Sequence, residues 1–236
     1  MNASELNQFS KQGFNRVALL AVSLVADETP LSLYLKLTQK SGQKNTYLLE
    51  SVYGGERFGR YSIIGLPART LLRSVGTPEL PINEVMLDEK VIETNQDNPL
   101  DFIDSYFKRF KVAPQANLPR FCGGLAGYFG YDTVRYIEKR LAKYSLPDEI
   151  GVPDIQLMLT EELAVLDNVE GKIYFIVYVD PNDENAHKAG TARLAELQTQ
   201  LNNIVPTEKE LPAKTHLPSW NSRIGFFSIM YYHRRR

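Results

Sequence analysis

LLESVYGGERFGRYSIIGL, residues 48–66, is the stretch around which the chain is organised. Two apolar runs, residues 46–49 and 61–66, flank a segment dense in glycine and charge. Short runs of Ile, Leu and Tyr bounded by Gly read as two strands joined by a turn. On that reading Glu50 and Ser51 sit where the first strand ends, and groups at strand ends are held rigidly enough to bind something. On chemistry alone the stretch reads as a polar pocket and nothing more.

Working outward toward the amino terminus, residues 16–26 (RVALLAVSLVA) are nearly all apolar and predict a strand buried on both faces. A short leading helix is expected over residues 4–12. Asp27 and Thr29 offer capping oxygens and Pro30 a pre-set first-turn dihedral, so a helix is expected over 30–40, with Leu31, Tyr34, Leu35 and Thr38 on one face. Downstream, residues 69–75 read as a strand. Residues 82–87 and 90–93 flank Asp88-Glu89 as a hairpin. Asp97-Asn98-Pro99 then starts a helix whose stripe, Leu100, Ile103, Tyr106, Phe107 and Phe110, reads as a core face.

FCGGLAGYFG, residues 121–130, reads as a strand whose glycines permit close approach of another backbone. Its spacing is not GxGxxG, and no GxxxxGK[ST] occurs, so neither a dinucleotide site nor a P-loop is indicated. A helix over 132–139 is expected to follow. Residues 155–166 and 172–179 read as two strands joined by the Gly-containing loop 167–171. Asp180-Pro181-Asn182 opens an amphipathic helix with Ala186, Gly190, Leu194, Leu197, Leu201 and Ile204 on one face, lying across those strands. The fold class is therefore α+β, a mixed or antiparallel sheet with four or five helices. Residues 1–204 read as one domain and the Pro-containing 205–219 as a linker. Residues 220–236 read as a tail without a domain's periodicity.

Composition is that of a globular chain: 236 residues, 43% hydrophobic, 23% charged, net charge −1. That balance gives no reason to expect nucleic acid or an anionic membrane as partner. No apolar run approaches the roughly 20 residues that cross a bilayer, and the first 15 residues have no leader-like apolar core, so a cytoplasmic protein is expected. Cys122 is the single cysteine, which fits a reducing compartment. His187, His216 and His233 stand apart, so neither a zinc site nor a Cys/His nucleophile pair is indicated, and GxSxG is absent. Glu50 and Glu56 read as solvated loop charges rather than an acid–base pair. No catalytic residue and no metal ligand is assigned.

LLES, GGERFGRYSIIG and, further on, GGLAGYFGYDTVRYIEKR resemble the amino-terminal region of anthranilate synthase component I, and the likeness runs through most of residues 14–203. Aminodeoxychorismate synthase component I shares this plan, but GGERFGRYSIIG matches the anthranilate enzyme better. The resemblance implies an enzyme converting chorismate to anthranilate and pyruvate with Mg²⁺, in tryptophan biosynthesis. Ammonia would come from a glutamine amidotransferase subunit, and tryptophan would act as feedback inhibitor. In the family the serine of LLES contacts tryptophan, which places Ser51 in that site with Leu49 and Glu50 beside it and Arg60 as a further member. A carboxylate suits an ammonium and a hydroxyl an amino acid's polar end; a Ser51 hydroxyl tied to its own loop backbone is the alternative. The family's chorismate and Mg²⁺ ligands lie in a carboxy-terminal half beyond such a linker. The expectation is thus a regulatory part without the catalytic half, inactive alone, its last residues resembling an out-of-frame read. A non-catalytic module that binds tryptophan or docks a partner is the alternative.

Overall fold

The computed structural model describes residues 1–25, 27–42, 44–53, 57–138, 140–143 and 151–203. Glu56, the linker 205–219 and the tail 220–236, with His216 and His233, lie outside the described residues. In chain order come α1 (Ala3–Lys11), β1 (Val17–Leu24), α2 (Pro30–Thr38), β2 (Tyr47–Tyr53) and β3 (Arg57–Gly65). Next are β4 (Thr70–Gly76), β5 (Pro81–Leu87), β6 (Lys90–Asn95), α3 (Pro99–Phe107), β7 (Gly124–Phe129) and α4 (Val134–Ile137). The last elements are β8 (Ile155–Thr160), β9 (Glu162–Asp167), β10 (Lys172–Val179) and α5 (Ala186–Gln200). Among the described residues the fold is α+β, as the patterning predicts, with five α-helices and ten strands. The strands form two five-stranded sheets, one in each of two compact units.

Among the described residues the first unit draws on 1–68, 110–123 and 160–203. Its sheet has the order β1-β10-β9-β3-β2, with every pair antiparallel. Helices α2 and α5 cover one face. Leu33 and Leu37 of α2 and Leu194 and Leu197 of α5 join Leu19, Ile64, Ala164, Leu166, Ile173, Phe175 and Val177 in one core. Leu118 and Phe121 pack on the other face against Ala18, Leu163, Val165 and Ile176. Strand β1 is buried on both faces over Val17, Ala18 and Leu19, as its run suggests, but not along its whole length. It lies at the sheet's edge, and Val22 and Leu24 are 45% and 79% exposed. The side chain of Gln115 closes part of that edge, accepting from Ala18 N–H at 3.1 Å and donating to its C=O at 2.9 Å. This covers groups that an edge otherwise offers to another strand.

Helix α2 begins as expected, with Thr29 accepting from Ser32 N–H in a reciprocal capping box and Pro30 in the first turn. Its buried face is Pro30, Leu33, Leu37 and Thr38, whereas Leu31 is exposed. In PLSLYLKLT apolar residues alternate, so two faces compete, and the sheet selects the one carrying Leu33 and Leu37. Helix α5 does bury Ala186, Gly190, Leu194 and Leu197, against β10 and β1.

The second unit holds the antiparallel pairs β4–β5, β5–β6 and β4–β8 in a sheet ordered β6-β5-β4-β8-β7. Asp88 and Glu89 form the β5–β6 turn with φ of 49° and 66°, the two left-handed residues that match a type I′ hairpin to strand twist. Asn98 caps α3, which buries Phe102, Ile103 and Tyr106. Residues 155–166 are not one strand but two. β8 pairs with β4 in this sheet, while β9 pairs with β3 and β10 in the other. Thr160-Glu161-Glu162 interrupt the apolar pattern where the chain changes sheet.

Candidate functional site

The pairing of β2 with β3 carries the stretch 48–66. From Tyr47 opposite Gly65 to Glu50 opposite Ser62 the register is regular, and it resumes with Val52 opposite Phe58. Between these points one residue of β2, Ser51, faces three of β3, Gly59, Arg60 and Tyr61. Glu50 and Ser51 therefore lie within a strand at a bulge, not at a strand's end. Bulges break the ladder locally and re-aim the chain, a frequent arrangement beside binding sites.

The loop between β9 and β10 bonds to the bulged part of β3. Asn168 N–H donates to Arg60 C=O at 2.8 Å, and Asn168 Nδ2 donates to Gly59 C=O at 2.8 Å and to Ser62 Oγ at 3.1 Å. Asp167, whose side chain is 1% exposed, uses both carboxylate oxygens. Oδ1 accepts from the N–H groups of Val169 and Glu170 at 3.0 and 3.1 Å. Oδ2 accepts from Arg60 Nε and Nη2 at 3.0 and 2.8 Å. Burial pushes the Asp167 carboxyl up, but the Arg60 hydrogen bonds and the two backbone donors outweigh it and hold the group below its usual range. Gly171, at φ 62°, ends the turn where a side chain would be strained.

Of the residues assigned from the sequence, Leu49, Glu50 and Ser51 are consecutive on β2, and Arg60 lies across from them in the bulge. Leu49 is half-buried and Glu50 exposed. Glu50 makes no ion pair among the described residues. The Ser51 side chain lies outside the described residues. Arg60 is half-exposed, with its guanidinium on Asp167 and Glu170 and 5.1 Å from the Tyr61 ring centroid. Asp167 and Asn168 appear in the sequence only as a hairpin loop. The Asp-Asn pair ahead of Glu-Gly is the available signal, since Asp side chains cap the N–H groups two and three residues on.

Among the described residues no three His, Cys, Asp or Glu side chains cluster in a way that could hold a metal ion. No helix among them is long and apolar enough to cross a membrane.

No family model matches the chain. Curated proteins do. Anthranilate synthase component 1 of Pseudomonas putida is 46% identical over 212 residues, covering 89% of this chain and 42% of that protein. The protein of the same name from Acinetobacter calcoaceticus is 35% identical over 226 residues, covering 94% of this chain and 44% of that protein. The crystal structure of anthranilate synthase component I from Streptococcus pneumoniae aligns with a TM-score of 0.48 at 25% identity, over 78% of this chain and 37% of that one. The resemblance drawn from the three motifs is thus borne out by relatives of that name. The chain spans about two fifths of the length of these curated relatives.

Proposed function

We propose that the bulged β2–β3 pair is the tryptophan-responsive site of an anthranilate synthase component I. The observation that carries this reading is the break in register at Ser51, which places LLES and Arg60 across one bulge with Glu50 exposed beside it. Glu50 offers a carboxylate for the α-ammonium, Ser51 a hydroxyl and Leu49 an apolar wall for an indole. Asp167 and Glu170 balance the charge of Arg60, so the guanidinium serves as an oriented hydrogen-bond donor to the ligand carboxylate. The whole protein would convert chorismate to anthranilate and pyruvate in the cytoplasm, using Mg²⁺ and ammonia from a glutamine amidotransferase subunit. Support for that wider reading is the similarity across most of this chain. Within it the described residues bind and regulate, and on its own the chain makes no anthranilate.

Titration calorimetry of the full chain with L-tryptophan tests the site. Heat with the parent and little with Ser51→Ala is the expected result, and equal heats would remove Ser51 from the site. Anthranilate fluorescence from this chain alone with chorismate, Mg²⁺ and ammonia would contradict the assignment of binding without chemistry.

A further inference from the structure

We infer that Asn168 is the positioning residue of this amino-acid site, an inference that rests on the reading above. A bulge with three residues against one leaves ladder groups unpaired. Here a single side chain takes one such acceptor, Gly59 C=O, together with the buried Ser62 hydroxyl. Asn168 Nδ2 donates to Gly59 C=O and to Ser62 Oγ, while its backbone N–H takes Arg60 C=O. Gly59 is buried and Ser62 is 1% exposed, so water has poor access to replace those bonds. Asp167 next to it fixes the Arg60 guanidinium. The loop after β9 thus sets both the backbone path opposite Ser51 and the direction of Arg60. Without the Asn168 amide the acceptors at Gly59 and Ser62 are orphaned, and β3 regains pairing by slipping toward the regular register. Such a slip would bring Arg60 opposite Val52 in place of Ser51.

The test uses the full chain and L-tryptophan, with three proteins: parent, Asn168→Ala and Asn203→Ala. Asn203 Nδ2 donates to Lys36 C=O, so the control loses a comparable bond away from the bulge. Affinity is measured by calorimetry well below each melting midpoint, and backbone amide exchange is followed at residues 59–62. Asn168→Ala should bind tryptophan about tenfold more weakly and exchange faster at 59–62, the loss of roughly one buried hydrogen bond. Asn203→Ala should do neither, even with a similar fall in midpoint. Unchanged affinity in Asn168→Ala, or equal weakening in both variants, overturns the inference. If the parent gives no heat, the tryptophan reading falls by itself, and Asn168 is then judged on exchange. Faster exchange confined to 59–62 upholds its hold on the bulge, and unchanged exchange ends it.

Discussion

The ring of Tyr47 lies over Gly65, its cross-strand partner, so closely that a Cβ on Gly65 would stand 2.0 Å from Tyr47 Cε1. The absent side chain makes room for the ring, whose hydroxyl reaches the buried Thr160 Oγ1 at 3.0 Å. Gly65→Ala should force the ring away and break that hydrogen bond. The expected loss is about 2–4 kcal/mol, overpacking plus one orphaned buried hydroxyl, read as a lower urea midpoint. In the Tyr47→Leu background the same substitution should cost much less. Equal costs in both backgrounds would show that the ring is not what Gly65 accommodates.

Alkaline titration probes the same ring. Burial pushes the Tyr47 phenol up from 10.0 to about 12, with the Thr160 hydrogen bond pulling only weakly the other way. Folding therefore favours the neutral phenol. Its contribution is whole below pH 10, where both states keep the proton. Above that the unfolded chain releases its proton first, and stability is lost progressively as pH rises to about 12. Tyr47→Phe should flatten this part of the pH–stability curve, by about 1.4 kcal/mol per pH unit at most. Burial and Asp154 raise Tyr136 as well, so some slope should remain. An unaltered slope in Tyr47→Phe would mean the phenol is not protected.

How far the sequence discloses the fold differs from element to element. Caps and turns were legible, because Thr29-Pro30 and Asn98-Pro99 act through their own backbone neighbours. The α5 stripe was legible because glycine and leucine recur at helical steps. Partners distant in sequence were not. Thr160-Glu161-Glu162 divide residues 155–166, but nothing there names the sheet that each half joins, and the face of α2 depended on which side met the sheet. At the site, LLES and Arg60 stood out through family likeness. The bulge between them needs the register of β3, and Asn168 is 109 residues from Gly59. No spacing within residues 48–66 announces such a contact.

Asp167 and Arg60 should respond unequally to truncation. Asp167→Ala removes a buried acceptor and leaves the N–H groups of Val169 and Glu170 and the Arg60 fork without it, for an expected loss of about 2–4 kcal/mol. Arg60→Ala leaves the carboxylate its two backbone donors, and the half-exposed guanidinium gives up less, so its loss should be clearly smaller. With its folded pKa below the unfolded value, Asp167 contributes stability above the usual carboxylate range, lost as pH falls through the lower folded value. Acid unfolding of Asp167→Asn should lack that step. Equal losses for the Asp167→Ala and Arg60→Ala variants would mean that the backbone bonds to Oδ1 carry little.

Two glycines that look alike in sequence should respond differently to alanine. A Cβ on Gly127 in β7 would meet the Gln156 carbonyl oxygen at 2.0 Å and Leu157 Cα at 2.9 Å, both backbone atoms of the neighbouring strand. A backbone cannot turn aside without giving up its ladder, so Gly127→Ala should exceed the ordinary overpacking cost of about 1–3 kcal/mol. On Gly190 the same Cβ would meet Leu19 Cδ1 at 2.6 Å and Val179 Cγ1 at 2.7 Å, which are side-chain ends. Leu19 can change rotamer, and alanine gains about 1 kcal/mol over glycine within α5. The net loss for Gly190→Ala should then stay near 1 kcal/mol. Denaturant unfolding followed by circular dichroism compares the pair. A Gly127→Ala midpoint at or above that of Gly190→Ala would refute the close approach of β7 to β8.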